Sequence, residues 1–290
     1  MEQFGEVLEN VSLKKYNTYK IGGYAKYVVK PHDINCLKEL IKFLKDNNYN
    51  YFIIGKGSNL ILPDEDYNGV VIILDNLNSI KYEKDYVYVE AGCSLNVFIS
   101  NLINNNYKGL ENLYGIPGTI GGAIVQNAGC YGSIISDNLI SVVYLENNTI
   151  KEITKNKCDF EYRNSIFKNN KEKIILSCKF KLDKGNKNEM LDIIKSNMIK
   201  RKNNQPLEYP NAGSVFRNPF NLSAGKLIED NNLKGYNING AYISEKHANF
   251  IINKNNATSK DIKELIKCIQ DTVYKNEKIE LILEQEIIKY

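Results

Sequence analysis

The chain has 290 residues, 43% hydrophobic and 25% charged, which is enough for about two domains with sizeable cores. Its 38 Lys+Arg against 34 Asp+Glu leave a net charge of only +4, too small and too evenly spread for a nucleic-acid footprint. Two histidines, His32 and His247, exclude a His-rich metal site, and three arginines (Arg163, Arg201 and Arg217) against a lysine background mark places where a planar fork is called for.

Met1 to Glu6 carry acid where a signal peptide needs positive charge and then an apolar run, and the longest apolar runs are strand-length. A cytosolic protein is expected. Tyr24 to Lys30 alternates like a strand closed by Pro31; Asp33 is placed to cap a helix to about Asn47, with Ile34, Leu37, Leu40, Ile41 and Leu44 at helical spacing. A short strand, 51–54, runs into the turn Gly55-Lys-Gly-Ser-Asn-Leu60. Strands are predicted at 70–74, 80–82 and 86–91, and a helix at 95–105. The most glycine-dense stretch follows: residues 115–132 hold six glycines and no charged residue. Further strands are predicted at 140–145, 151–154 and 173–182.

The composition shifts at 183–188, a plausible boundary. Beyond it the pattern predicts a helix over about 189–202, a strand at 249–252, a capped helix from Ser259 or Asp261 to Tyr274, and a terminal strand from Ile279 to Ile288 that places Glu280, Glu284 and Glu286 on one face. Strands and helices interleave without strict alternation, so the class is α+β. The six scattered cysteines, with no C-x-x-C pair, read as small buried hydrophobes in a reducing compartment.

The common glycine motifs fail. The first turn lacks the third glycine of the dinucleotide fingerprint and has Pro63 where its helix would run, Gly225-Lys226 is followed by Leu rather than Ser or Thr, and there is no G-x-S-x-G. What remains is a pair of glycine loops whose backbone N–H groups suit a pyrophosphate, with Ser58, Asn59, Thr119 and Asn127 as neutral donors. Two further segments draw notice. Tyr209 to Pro219 sets Ser214 after a small-residue turn and close to Arg217, and Tyr162-Arg-Asn-Ser165 sets Arg163 among polar and aromatic neighbours.

In order and wording these segments resemble the UDP-N-acetylenolpyruvoylglucosamine reductases (MurB) of bacterial cell-wall synthesis. The matching stretches are Asn17-Thr18 with Gly22-Gly23-Tyr-Ala25, Gly55 to Leu60, Gly115-Ile-Pro-Gly118 through Gln126 to Gly132, and Tyr162 to Ser165. They continue with Asn211 to Pro219, Ala224 to Ile228, Ser244 to Phe250 and Leu283 to Glu286. The resemblance spans essentially the whole chain. It implies a two-subdomain FAD-binding domain of the vanillyl-alcohol-oxidase (PCMH) type over 1–186, with subdomains near 1–76 and 77–186, and a smaller α+β substrate domain over 187–290. The short span after Arg163 leaves no room for the tyrosine-bearing insertion of one branch, so the chain looks like the shorter, type II branch.

By the same resemblance, NADPH reduces FAD and the flavin passes hydride to the enolpyruvyl methylene carbon of a nucleotide-sugar. Arg163 would hold the substrate carboxylate, Ser214 would protonate the resulting enolate, and Glu286 would hydrogen-bond the enolic carboxylate with its own proton retained. Gly55, Gly57, Ser58, Asn59, Leu60, Pro117, Gly118, Thr119, Gly121, Gly122, Asn127 and Gly129 would line the FAD, and Asn218 and Lys226 the nucleotide-sugar. Three residues depart from the family pattern: Cys130 stands for Ala, Gln285 for the Pro of Glu-Pro-Glu, and Ile288 for an Arg. The residues alone leave two alternatives open, a non-catalytic flavin- or nucleotide-sugar-binding redox sensor using Cys130, and an FAD oxidase of the same cofactor fold.

Overall fold

Capping and periodicity act as expected near the start of the chain in the computed structural model, which describes residues 1–290 with the side chain of Asn169 excepted. Asp33 accepts a hydrogen bond from Cys36 N at 2.8 Å and opens the helix Ile34–Asp46, whose buried face is Leu37, Leu40, Ile41 and Leu44. The strand Tyr51–Ile54 pairs in parallel with Tyr67–Ile73, so this helix belongs to a strand-helix-strand unit. Gly5–Ser12 and Tyr24–Pro31 complete that sheet in the order Gly5–Ser12, Tyr24–Pro31, Tyr67–Ile73, Tyr51–Ile54.

Two compact units emerge: residues 1–9, 27–56 and 69–199, and residues 10–26, 57–68 and 200–290. A single cut near residue 186 divides the chain differently, because the segments 10–26 and 57–68 group with the C-terminal part. The change of composition at 183–188 is an internal feature of the first unit. Asp183–Lys184 pairs with Tyr107–Lys108, and Asn186 Oδ1 accepts from Asn188 N ahead of the helix Lys187–Asn204.

The first unit also holds a five-stranded antiparallel sheet, ordered Thr149–Thr154, Leu139–Glu146, Ile174–Lys181, Tyr86–Glu90, Ile80–Glu83. Its core joins Val87, Val89, Val142 and Cys178 to Phe98 and Leu102 of the helix Leu95–Asn104 and to Ile120 and Ile124. In the second unit, the antiparallel strands Asn237–Ile238, Ala241–Ile243 and Ile251–Asn253 pack with the helix Ser259–Glu277. That helix opens on a capping box, in which Thr258 Oγ1 accepts from Asp261 N and Asp261 Oδ2 from Thr258 N. Ile262, Leu265, Ile266, Ile269 and Val273 form its buried stripe.

The predicted terminal strand over 279–288 is corrected. Only Glu286–Ile287 is strand, pairing in parallel with Leu60–Ile61, and Leu283 makes a lone bridge to Phe216. Alternating apolar residues make this segment extended, but its backbone groups go to several partners in turn. Leu281 O accepts from Gln270 Nε2, Ile282 O from Arg217 N, and Glu284 O from Asn59 Nδ2.

Candidate functional site

In the first unit the strand Tyr51–Ile54 ends at Gly55, and a Cβ there would lie 2.7 Å from Thr119 Oγ1. Glycine is therefore what lets the first turn meet the second loop. Thr119 is buried, and its hydroxyl oxygen accepts from Gly122 N at 3.2 Å to cap the short helix Ile120–Val125. Ile120 N and Gly121 N go to the carbonyls of Cys93 and Ala91, and Gly118 O accepts from Leu95 N. Of the successive N–H groups in this loop, those of Gly118 and Thr119 are left without a protein acceptor among the described residues, beside the exposed Pro117 and Gly122.

The same loop carries Arg163. Asn127, buried and at φ 43°, donates from Nδ2 to Glu161 O at 3.0 Å. Arg163 Nη2 donates to Gly129 O at 3.0 Å, Ser165 Oγ to Val125 O at 2.8 Å, and Lys168 Nζ to Gln126 Oε1 at 2.8 Å. Four bonds thus tie the 161–168 turn to residues 125–129, and Arg163 sits at φ 58°, a conformation unusual for a side-chain-bearing residue. Its guanidinium lies 5.3 Å from the Tyr162 ring centroid. Gly129 is confined, since a Cβ would fall 2.6 Å from Ile134 Cγ2 and 3.3 Å from Arg163 Nη1. Asn127 Oδ1 is buried with no partner in the protein.

In the second unit Gly57, at φ 59°, approaches Tyr16 and Asn17 so closely that a Cβ would lie 2.4 Å from Tyr16 O. Ser58 follows, and Asn59 directs its amide to Glu284 O at 3.1 Å while its own carbonyl accepts from Glu286 N at 2.9 Å. Leu60 then pairs with Glu286 in register. Ser214 is half-buried after Gly213, which sits at φ 74°, and is bridged to Phe250. Asn249 holds the residues that follow Ser214 by accepting from Val215 N and Phe216 N and donating to Phe216 O. Glu284 N donates to Val215 O at 2.8 Å. The terminal segment bearing Glu284 and Glu286 therefore runs between the Ser214 segment and residues 59–61.

Asn218 and Lys226 both belong to the start of the helix Ala224–Asp230: Asn218 Oδ1 accepts from Ala224 N at 3.1 Å, and Lys226 Nζ pairs with Asp230 on the exposed face. Asp230 beside it holds the Lys226 ammonium above its ordinary range. His247 packs against Phe250 and accepts from Asn249 N at Nδ1, and burial lowers its pKa. Among the described residues no group of His, Cys, Asp and Glu could hold a metal, and no helix is long and apolar enough to cross a membrane.

Several residues that shape this site escape a reading of types and spacing. Asn249 and Gln285 are buried polar side chains doing backbone-like bonding; inside a motif their only sequence signal is an amide where an apolar residue would pack. Lys168 gives no such signal, because its partner Gln126 lies 42 residues away.

Residues 25–150 match the FAD binding domain family, and residues 205–288 match the C-terminal domain of UDP-N-acetylenolpyruvoylglucosamine reductase. The UDP-N-acetylenolpyruvoylglucosamine reductase of Carboxydothermus hydrogenoformans is 42% identical over 284 residues, 97% of this chain and 94% of that one. The reductase of Bacillus subtilis is 38% identical over 288 residues, 99% and 95% of the two chains. The crystal structure of the reductase (MurB) from Thermus caldophilus superposes with a TM-score of 0.85 at 31% identity, covering 99% of this chain and all of that one. With likeness of this depth from end to end, the chain belongs to the UDP-N-acetylenolpyruvoylglucosamine reductase (MurB) family.

Proposed function

We propose that the protein catalyses the NADPH-driven, FAD-dependent reduction of UDP-N-acetylglucosamine enolpyruvate to UDP-N-acetylmuramate. The observation that carries this reading is the full-length likeness to reductases of that name, and Arg163, Ser214 and Glu286 stand in the segments on which the sequence resemblance rests. The residues present fit an FAD. Gly55 and Gly129 allow the backbone to close up where a Cβ would collide, Gly121 sits where a Cβ would be tight at 3.2 Å from Ala91, and Gly118 and Thr119 keep N–H groups for a pyrophosphate. Asn127 Oδ1 is an acceptor that an incoming N–H can satisfy. When bound, FAD supplies the redox chemistry, taking hydride from NADPH and giving it to the enolpyruvyl methylene carbon.

The protein's own part is to hold the substrate and manage the charge that hydride addition leaves on the neighbouring carbon and its carboxylate. Arg163 is a suitable carboxylate clamp, because its planar fork is held by Gly129 and the turn bearing it is fastened at four points. Ser214 gives its hydroxyl proton to the enolate carbon, and Glu286 hydrogen-bonds the enolic carboxylate. Asn218 and Lys226, at the head of one helix, take the nucleotide-sugar. The test is anaerobic stopped flow on the purified flavoprotein: NADPH should bleach the flavin absorbance, and the enolpyruvyl nucleotide-sugar should restore it. A flavin that NADPH bleaches but that substrate leaves reduced would overturn the assignment.

A further inference from the structure

Between Glu284 and Glu286 stands Gln285, a glutamine only 4% exposed. A buried amide must find partners for both ends, and this one does. Its Nε2 donates to two successive carbonyls, Ala212 O at 3.1 Å and Gly213 O at 3.2 Å, the two residues immediately before Ser214. Its Oε1 accepts from the Tyr19 hydroxyl at 3.1 Å. Burial raises the Tyr19 phenol well above its ordinary pKa, so it remains a donor. The two carbonyls fix the sense of the amide, because a flipped Gln285 would set its oxygen against both of them, and the Tyr19 hydroxyl then donates to the Oε1 left facing it. Tyr19 is itself held: Asn253 Nδ2 donates to its carbonyl at 2.9 Å, and Asn17 closes the turn around it through Leu13 O and Ile21 O.

We propose that Gln285, oriented by Tyr19, is a positioning residue that sets the Ala212-Gly213 backbone and so aims the Ser214 hydroxyl. This rests on the reading of Ser214 as the proton donor. Gly213 is in a left-handed conformation with nothing near its missing Cβ, and its N–H donates to Asn211 Oδ1 at 3.0 Å; the Gln285 amide adds the grip on the carbonyls on either side of the Gly213 nitrogen and α-carbon. The same amide stands between two glutamates of the terminal segment. It therefore couples the placement of the Ser214 hydroxyl to the placement of Glu286, a task a residue without a side-chain donor cannot perform.

The test uses the holoenzyme and reads the two half-reactions separately. Gln285→Met keeps length and apolar volume but has no donor. It should leave NADPH bleaching within about twofold of native while slowing re-oxidation by substrate about 10- to 100-fold, the cost of misplacing one reacting group. The solvent deuterium isotope effect on re-oxidation should rise as proton delivery becomes limiting. Tyr19→Phe, which removes a single oxygen, should slow the same half-reaction by about 3- to 10-fold, and it carries the test if Gln285→Met fails to fold. In a Ser214→Ala background, Gln285→Met should add less than about twofold, since it acts through the group already removed.

Native re-oxidation in Gln285→Met, equal loss in both half-reactions, or a full further loss on top of Ser214→Ala would overturn the positioning role. A Ser214→Ala enzyme that re-oxidises at the native rate would instead overturn the reading of Ser214 as donor. The two failures are thereby distinguishable.

Discussion

At the scale of single residues, the informative contrast is between Arg163 and its lysine background. Lys168, five residues on, touches the same turn through Gln126 and the Arg163 carbonyl, so positive charge is already plentiful there. What Arg163 adds is two-pronged geometry: one nitrogen of its fork is pinned to Gly129 O, which orients the plane. Arg163→Lys should therefore lower kcat/KM for the enolpyruvyl substrate by about 100-fold or more despite keeping the charge, with NADPH bleaching little changed. Steady-state and half-reaction kinetics check this, and near-native turnover would show that charge alone suffices. That Arg163 stands out was legible from the scarcity of arginine and the motif around it. Its left-handed backbone and the four bonds from residues 125–129 were not, because they depend on partners 34 to 42 positions away.

At the scale of elements, helices with local signals emerged where their caps put them, and the terminal strand did not. Asp33 and Thr258 each make the bond that a cap residue is expected to make, so the starts of the helices Ile34–Asp46 and Ser259–Glu277 follow from a few neighbouring residues. The 279–288 segment has strand-like alternation, but a ladder needs a partner in register, and here Gln270, Arg217, Phe216, Asn59 and Leu60 each take one part of it. The first glycine turn is the element on which most depends. Gly57→Ala places a methyl group against backbone at Tyr16 and Asn17 and in a conformation that costs about 1–2 kcal/mol for a side-chain-bearing residue before any overlap. We expect a loss of at least that size in urea unfolding and weaker FAD retention on gel filtration. An unchanged midpoint with full flavin content would mean that the turn adapts. Thr258→Ala, which removes one arm of the capping box, should cost about 1 kcal/mol in the same assay and leave flavin content unaffected.

For the whole molecule, the buried imidazole of His247 predicts a direction for stability against pH. Burial is the main cause lowering its pKa below about 6.5, and Lys234 adds to it while Glu229 opposes it. Between that ordinary value and the lower folded one, the unfolded chain binds a proton that the folded chain refuses. This contribution to stability is therefore full above about pH 6.5 and declines as the pH falls through the window below it. His247→Asn should flatten that part of the Tm-against-pH curve, and an unaltered slope would assign the acid limb to other groups. The sequence by itself determined the α+β class, the capped helices, the two glycine loops and, through eight ordered motifs, the family resemblance, because each of these is written in neighbouring residues or fixed spacings. Only the tertiary structure decided that residues 10–26 and 57–68 pack with 200–290, that the Arg163 turn is fastened to the second glycine loop, and that Gln285 grips the turn before Ser214. Those facts come from hydrogen bonds and packing between segments tens to hundreds of residues apart, and a linear pattern records the residue at each end without recording which two ends meet.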